Sequence, residues 1–229
     1  MSDQAGYRVK RETQSRPAAS AALSIDALWL DALQRIGARV AHDVKGALNA
    51  VSVNVEVVRT RAAKPDAPAS AVAKFADAAA ESTETVIAMT ESLLVLMRAP
   101  AESMELGALV RRIGGLLAAA AKSDQGRVEL VEPLELLGAT TMPGNAARLA
   151  VATALLAATE TSSSVACRVR DGALVVETAE GTPVSIDEGV ATALAGSGIT
   201  VRRDPAGCSI FFPSSQSPET PGRPAAGDR

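Results

Sequence analysis

Aromatic side chains are nearly missing from this chain. Three phenylalanines, one tryptophan and one tyrosine make up 2% of its 229 residues. Large rings therefore cannot supply the core, and small, helix-favouring side chains, alanine above all, must do most of the packing. Cysteine occurs only at Cys167 and Cys208, far apart and outside any motif. This excludes a disulfide framework and reads as two buried free thiols in a reducing compartment. Histidine occurs once, and one histidine with two scattered cysteines makes no zinc ligand set, so no metal site is expected. No apolar run reaches the roughly 18 residues of a membrane span. Residues 1–20 lack the apolar core of a secretory signal, so the expectation is a cytoplasmic protein with no membrane partner. Basic residues are not in excess either. A net charge of −3 and a pI of about 5.4 argue against a nucleic-acid binder.

What the chain does contain is 47% hydrophobic and 21% charged residues, enough for one or two globular domains. Two long helical patterns come first. One starts near Ser24, a good N-cap with Asp26 in the first turn, and runs to about Arg61. Its apolar stripe reads Ile36, Val40, Val44, Leu48, Val51, Val55, Val58. Lys64-Pro65-Asp66-Ala67-Pro68 breaks it. A second helix, about 70–98, has Ser70 as its expected cap and Val72, Phe75, Ala79, Val86, Leu93 and Met97 as its seam. The two form an antiparallel hairpin, which cannot bury both apolar faces alone. A second copy would complete a four-helix bundle, so a homodimer is expected.

Beyond residue 100 helices and antiparallel strands alternate, which predicts an α/β sandwich and an α+β chain as a whole. A short strand at 104–106 enters a helix over 107–122, and Arg127–Glu132 alternates as a strand. Leu134–Leu137 reads as another short strand, and Asn145 as the cap of a helix to about Thr159. Residues 165–170 and 173–177, joined by Asp171-Gly172, give the clearest hairpin signal. A helix over 186–195 and a hairpin of 198–203 with 208–212 complete the pattern. The expected organisation is a disordered 1–22, a helical hairpin over 23–99, an α/β domain over 100–213 and a disordered 214–229.

The single histidine, His42, sits within Arg39-Val-Ala-His42-Asp43-Val-Lys45-Gly46-Ala-Leu48-Asn49. At about 100° per residue it lies roughly 200° from Val40 and from Val44, so it faces solvent or a partner. Arg35, Arg39, Lys45, Asn49 and Ser52 share that side. A neutral imidazole is a good nucleophile toward phosphorus. The adjacent carboxylate of Asp43 can orient the ring, and cations one turn away can offset phosphoryl charge. The competing reading is an ordinary surface histidine on an unrelated helical scaffold.

The run resembles the H-box of bacterial two-component histidine kinases and histidine phosphotransferases, where a histidine followed by an acid lies on the first helix of a dimerisation and phosphotransfer hairpin. His42-Asp43 and Leu48-Asn49 match it in kind. The family places a polar residue four positions after the histidine to help seat the water for phosphatase action, and Gly46 offers no side chain for that task. The order of elements after the hairpin resembles the ATPase domain of these kinases, and together the likeness covers roughly residues 24–213. It departs at the nucleotide site. Where the family has magnesium-binding asparagines, the helix Arg148–Ala158 has Ala154 and Ala158. In place of the adenine-binding Asp-x-Gly-x-Gly stands Thr178-Ala-Glu180-Gly181-Thr-Pro183, and the Gly-rich lid is replaced by Asp187-Glu188-Gly189-Val190. Alanines supply neither oxygen ligands nor phosphate donors.

The resemblance thus implies a histidine phosphotransferase with a degenerate ATPase-like domain and no nucleotide site or cofactor of its own. His42 would be the phosphoacceptor, assisted by Asp43 and Lys45. Arg35, Arg39, Gly46 and Asn49 would meet the partner, the receiver domain of a response regulator, which brings the Mg²⁺. The alternatives are a diverged histidine autokinase and a non-catalytic dimeric adaptor, or pseudokinase, that binds regulators.

Overall fold

The computed structural model describes residues 24–64, 68–99, 103–120, 127–142 and 144–213. The expected disordered ends, 1–22 and 214–229, lie outside these residues.

Helix α1 spans Ile25–Ala62, and the Ser24 hydroxyl caps it by accepting from the Ala27 N–H. Helix α2 spans Ser70–Met97. Ser70 is its first helical residue and not the expected cap, since the cap position falls on Ala69 with no side-chain bond. Near the turn the Phe75 ring lies between Arg61 and Lys74, each 4.9 Å from its centroid.

The second unit begins with β1 (Met104–Glu105), which leads directly into α3 (Leu106–Ala120). Strand β2 (Arg127–Leu130) follows. Leu134–Leu137 is a 3₁₀ turn and not the expected strand; the next strand, β3 (Ala139–Thr140), pairs with β1. Helix α4 (Gly144–Thr161) precedes the hairpin of β4 (Ser164–Arg170) and β5 (Ala173–Thr178). Its Asp171-Gly172 turn has φ of 51° and 73°, the positive values that a tight two-residue hairpin needs. Asp187 caps α5 (Glu188–Gly196), and β6 (Thr200–Asp204) and β7 (Gly207–Phe211) close the chain of elements.

The larger sheet has the order β2-β4-β5-β7-β6, with β2 parallel to β4 and the other pairs antiparallel. Helices α3, α4 and α5 pack on it, so the chain is α+β. Cys167 and Cys208 occupy core positions on β4 and β7, both paired with Val176, and burial pushes each thiol up to about 12.

Helix α4 is enclosed almost all round. Ala146, Ala147, Leu149, Ala150, Val151, Ala152, Ala154 and Leu155 have no exposed surface. It lies between the sheet and α1, and the two helices run side by side in one direction: Asp26 meets Asn145, Trp29 meets Arg148, Arg39 meets Thr159. One continuous core therefore joins the first half of α1 (Trp29, Ala32, Ile36, Val40) to the sheet (Val165, Leu174, Ile210). The core does not divide at residue 100.

Past that contact the hairpin is thin. Among the described residues from Leu48 to Ala88, Ala79 alone is buried. The expected stripe of α1 holds at Ile36 and Val40, then the buried line turns to Asp43 and Ala47, leaving Leu48 and Val55 half exposed. On α2 the buried positions are Ala79, Met89 and Leu96, and Met97, expected in the seam, is exposed. The described hydrogen bonds and ring contact to α4, from Asp26, Trp29, Arg35 and Arg39, all fall on the first half of α1.

Packing around α4 makes a direct prediction. Ala154→Asn places a larger polar group where no surface is free. It should destabilise the protein by about 2–4 kcal/mol. Denaturant unfolding measures this, and a variant as stable as the parent would show that this face of α4 is not closed.

Candidate functional site

His42 lies on α1 about one turn beyond Arg39, which donates to Thr159 of α4. Its side chain is 87% exposed, while that of Asp43, the next residue, is 5% exposed. The two meet through His42 Nδ1 and Asp43 Oδ1 at 3.1 Å. When Nδ1 carries the proton it donates to the carboxylate, and Nε2 keeps its lone pair for an incoming group. Asp43 extends the buried line Trp29, Ala32, Ile36, Val40 by one turn, so its carboxylate is held by the packing around it. The helix thus offers an accessible ring fixed by an enclosed acid.

The other predicted residues divide into two groups. Lys45 and Asn49 are exposed on the helix, and Gly46 is partly buried. Arg35 and Arg39 share the histidine's side but are turned to α4. Arg35 Nη2 donates to Glu160 Oε1 at 2.6 Å, and Arg39 Nη1 donates to the Thr159 hydroxyl at 2.8 Å. Expected to meet a partner, these two arginines tie the histidine helix to the second unit. The sequence reading missed Thr159 and Glu160, about 120 positions away, and no local signal marks them.

Beside these residues is an open cavity of about 260 Å³ lined by Thr159 to Ser163 and Glu180. Glu180 accepts from the Ser163 N–H at 3.0 Å and from the hydroxyls of Ser162 and Ser163. These donors hold its carboxyl down at about 2, so it stays charged through the neutral range. Thr178 is also engaged: its hydroxyl accepts from the Thr182 N–H at 2.7 Å and contacts the carbonyls of Thr182 and Ala206. The stretch 178–183 thus engages its polar groups within its own loop through Thr178 and Thr182, and with Ser163, just past the end of α4, through Glu180. Ala154 and Ala158 have no exposed surface, and by helical spacing lie opposite the side of α4 that meets α1. Among the described residues no three His, Cys, Asp or Glu side chains gather as a metal site.

The split between bound arginines and free lysine is measurable. Arg39→Ala removes a charged donor and its packed stem and should cost about 1–2 kcal/mol of stability. Lys45→Ala should stay within about 0.5 kcal/mol of the parent. Equal losses in thermal or urea unfolding would contradict the assignment of Arg39 to the helix junction.

The chain matches no protein-family model, and a search of curated proteins finds no match.

Proposed function

We propose that the protein is a histidine phosphotransferase that relays a phosphoryl group between aspartates of response regulators through His42. The observation that carries this reading is the pairing of a largely accessible imidazole with a buried carboxylate, on a helix whose outer half is, among the described residues, covered on few sides. Nε2 attacks phosphorus of the regulator's aspartyl phosphate, a P–N bond forms as the P–O bond breaks, and the regulator's carboxylate leaves. The ring becomes cationic when both nitrogens are substituted, and Asp43 at 3.1 Å stabilises that charge. Transfer to the next regulator reverses the step. Lys45, exposed one turn on, can draw in the acidic pocket of a receiver domain, so transfer should slow as salt rises. The regulator brings the Mg²⁺. The closed face of α4 at Ala154 and Ala158 supports a second unit without an ATP site.

The same reading pairs two hairpins in a four-helix bundle. Val44, Leu48, Val51, Val55 and Val58 line one side of α1, with Leu48 and Val55 half exposed. On α2 Ile87, Leu94 and Met97 form a second bare stripe. Burying each such side chain contributes roughly 1.5–3 kcal/mol, and a second copy is the cover that fits both.

Two experiments test the proposal. His42→Ala should abolish acid-labile labelling from a phosphorylated regulator without unfolding the protein, and Asp43→Asn should slow transfer on the order of 10²-fold. Label retained by His42→Ala would overturn the relay. Regulator binding without any labelling of the parent would leave a non-catalytic adaptor. Leu48→Glu should convert a dimer to a folded monomer in light scattering, and a parent already monomeric at micromolar concentration would refute the bundle.

A further inference from the structure

The joint between the hairpin and the second unit holds an open cavity of about 280 Å³. Three arginines from three segments line it: Arg98 just past α2, Arg112 on α3 and Arg148 on α4. Among the described residues none of the three forms an ion pair. Arg148 is only 5% exposed. Its Nη1 donates to the Arg98 carbonyl at 2.8 Å and to Asn145 Oδ1 at 3.3 Å, while its Nε is buried with no partner. Burial, then the nearby charge of Arg112, lower its pKa from the ordinary value. A buried guanidinium facing a second cation, with no carboxylate bonded to it, is a costly arrangement for a fold to keep. Here the unused donor belongs to a residue lining the cavity.

We propose that this cavity binds a small phosphomonoester. Among the described lining residues three arginines stand against one acid, Glu105, and this positive excess suits a phosphate better than a monocarboxylate. The guanidinium fork suits the oxygens of a phosphate. Leu96 and Leu109 supply an apolar wall, and the volume is at the small end of ligand pockets, so the ester carries a short apolar body. The occupant would link the end of α2 to α3 and α4 and set how the hairpin sits on the second unit. The site is separate from His42 and does not depend on the phosphotransfer reading.

The test uses the full chain with inorganic phosphate and phenyl phosphate as probes and acetate as the control. Titration should move the Arg148 Nε–H resonance saturably and raise the thermal midpoint, phenyl phosphate acting at lower concentration than phosphate. Arg112→Gln removes a half-buried cation with no described hydrogen bond, so the fold should survive, and affinity should fall at least about tenfold. Arg148→Met should abolish the effect. Absence of a saturable shift with either phosphate probe would overturn the proposal. So would equal binding by the folded Arg112→Gln protein, or acetate acting as strongly as phosphate.

Discussion

Helix α4 is the constraint on which the other elements depend. It has the sheet on one side and α1 on the other, and a helix enclosed in this way can carry almost no polar side chain in its middle. Alanine meets that demand with the closest approach between helices, which is how a chain so poor in aromatics makes a core. Apart from Thr153, whose hydroxyl donates back to the Leu149 carbonyl, the polar residues stand at the two ends. Asn145 and Arg148 meet Asp26 and Trp29 near the start of α4, and Thr159 and Glu160 meet Arg39 and Arg35 near its end. These end contacts fix the sliding register of two helices whose smooth middle would not. Ala154 and Ala158, with no exposed surface, are among the residues that let it pack between two layers.

The position of His42 follows from where α4 stops. Below that level α1 is covered on several sides, and Ile36 and Val40 are buried. Above it, among the described residues, few side chains are buried, and the apolar line is left half exposed at Leu48 and Val55. His42 stands at the change from one regime to the other. A partner reaching it would meet a rigid helix anchored to the second unit on one side and an uncovered hairpin on the other. Rigidity without enclosure is what an exchange between two large partners requires, because each must dock and leave.

Features with local signals were legible in the sequence. Ser24 announces the start of α1, Pro65 and Pro68 the break before α2, and Asp171-Gly172 the tight turn between β4 and β5. The exposure of His42 followed from helical phase alone. The failures have a shared physical origin in contacts distant along the chain. Arg35 and Arg39 look like free cations until Glu160 and Thr159 are brought beside them. Leu48 looks like a core residue because periodicity records which face is apolar and not whether anything covers it. Leu134–Leu137 has strand-like residues, but Gly138 at φ 67° and the short pairing of β3 with β1 turn it into a 3₁₀ segment. Asn145 looks like a cap, but its side chain joins Asp26 and Arg148 instead.

The buried carboxylate is the feature that stability does not account for. Position 43 continues a line of Trp29, Ala32, Ile36 and Val40, and Ala47 follows it. An apolar residue there would extend the core, whereas a carboxylate must be desolvated and has the His42 ring as its described side-chain partner. An acid kept against that cost, next to the one histidine of the chain, marks a site where the local rule gives way to another demand. The proposed transfer supplies that demand. A ring free to rotate in solvent would present either nitrogen. One held through Nδ1 by an immobile acid presents Nε2, and the same acid is already in place when phosphorylation makes the ring a cation.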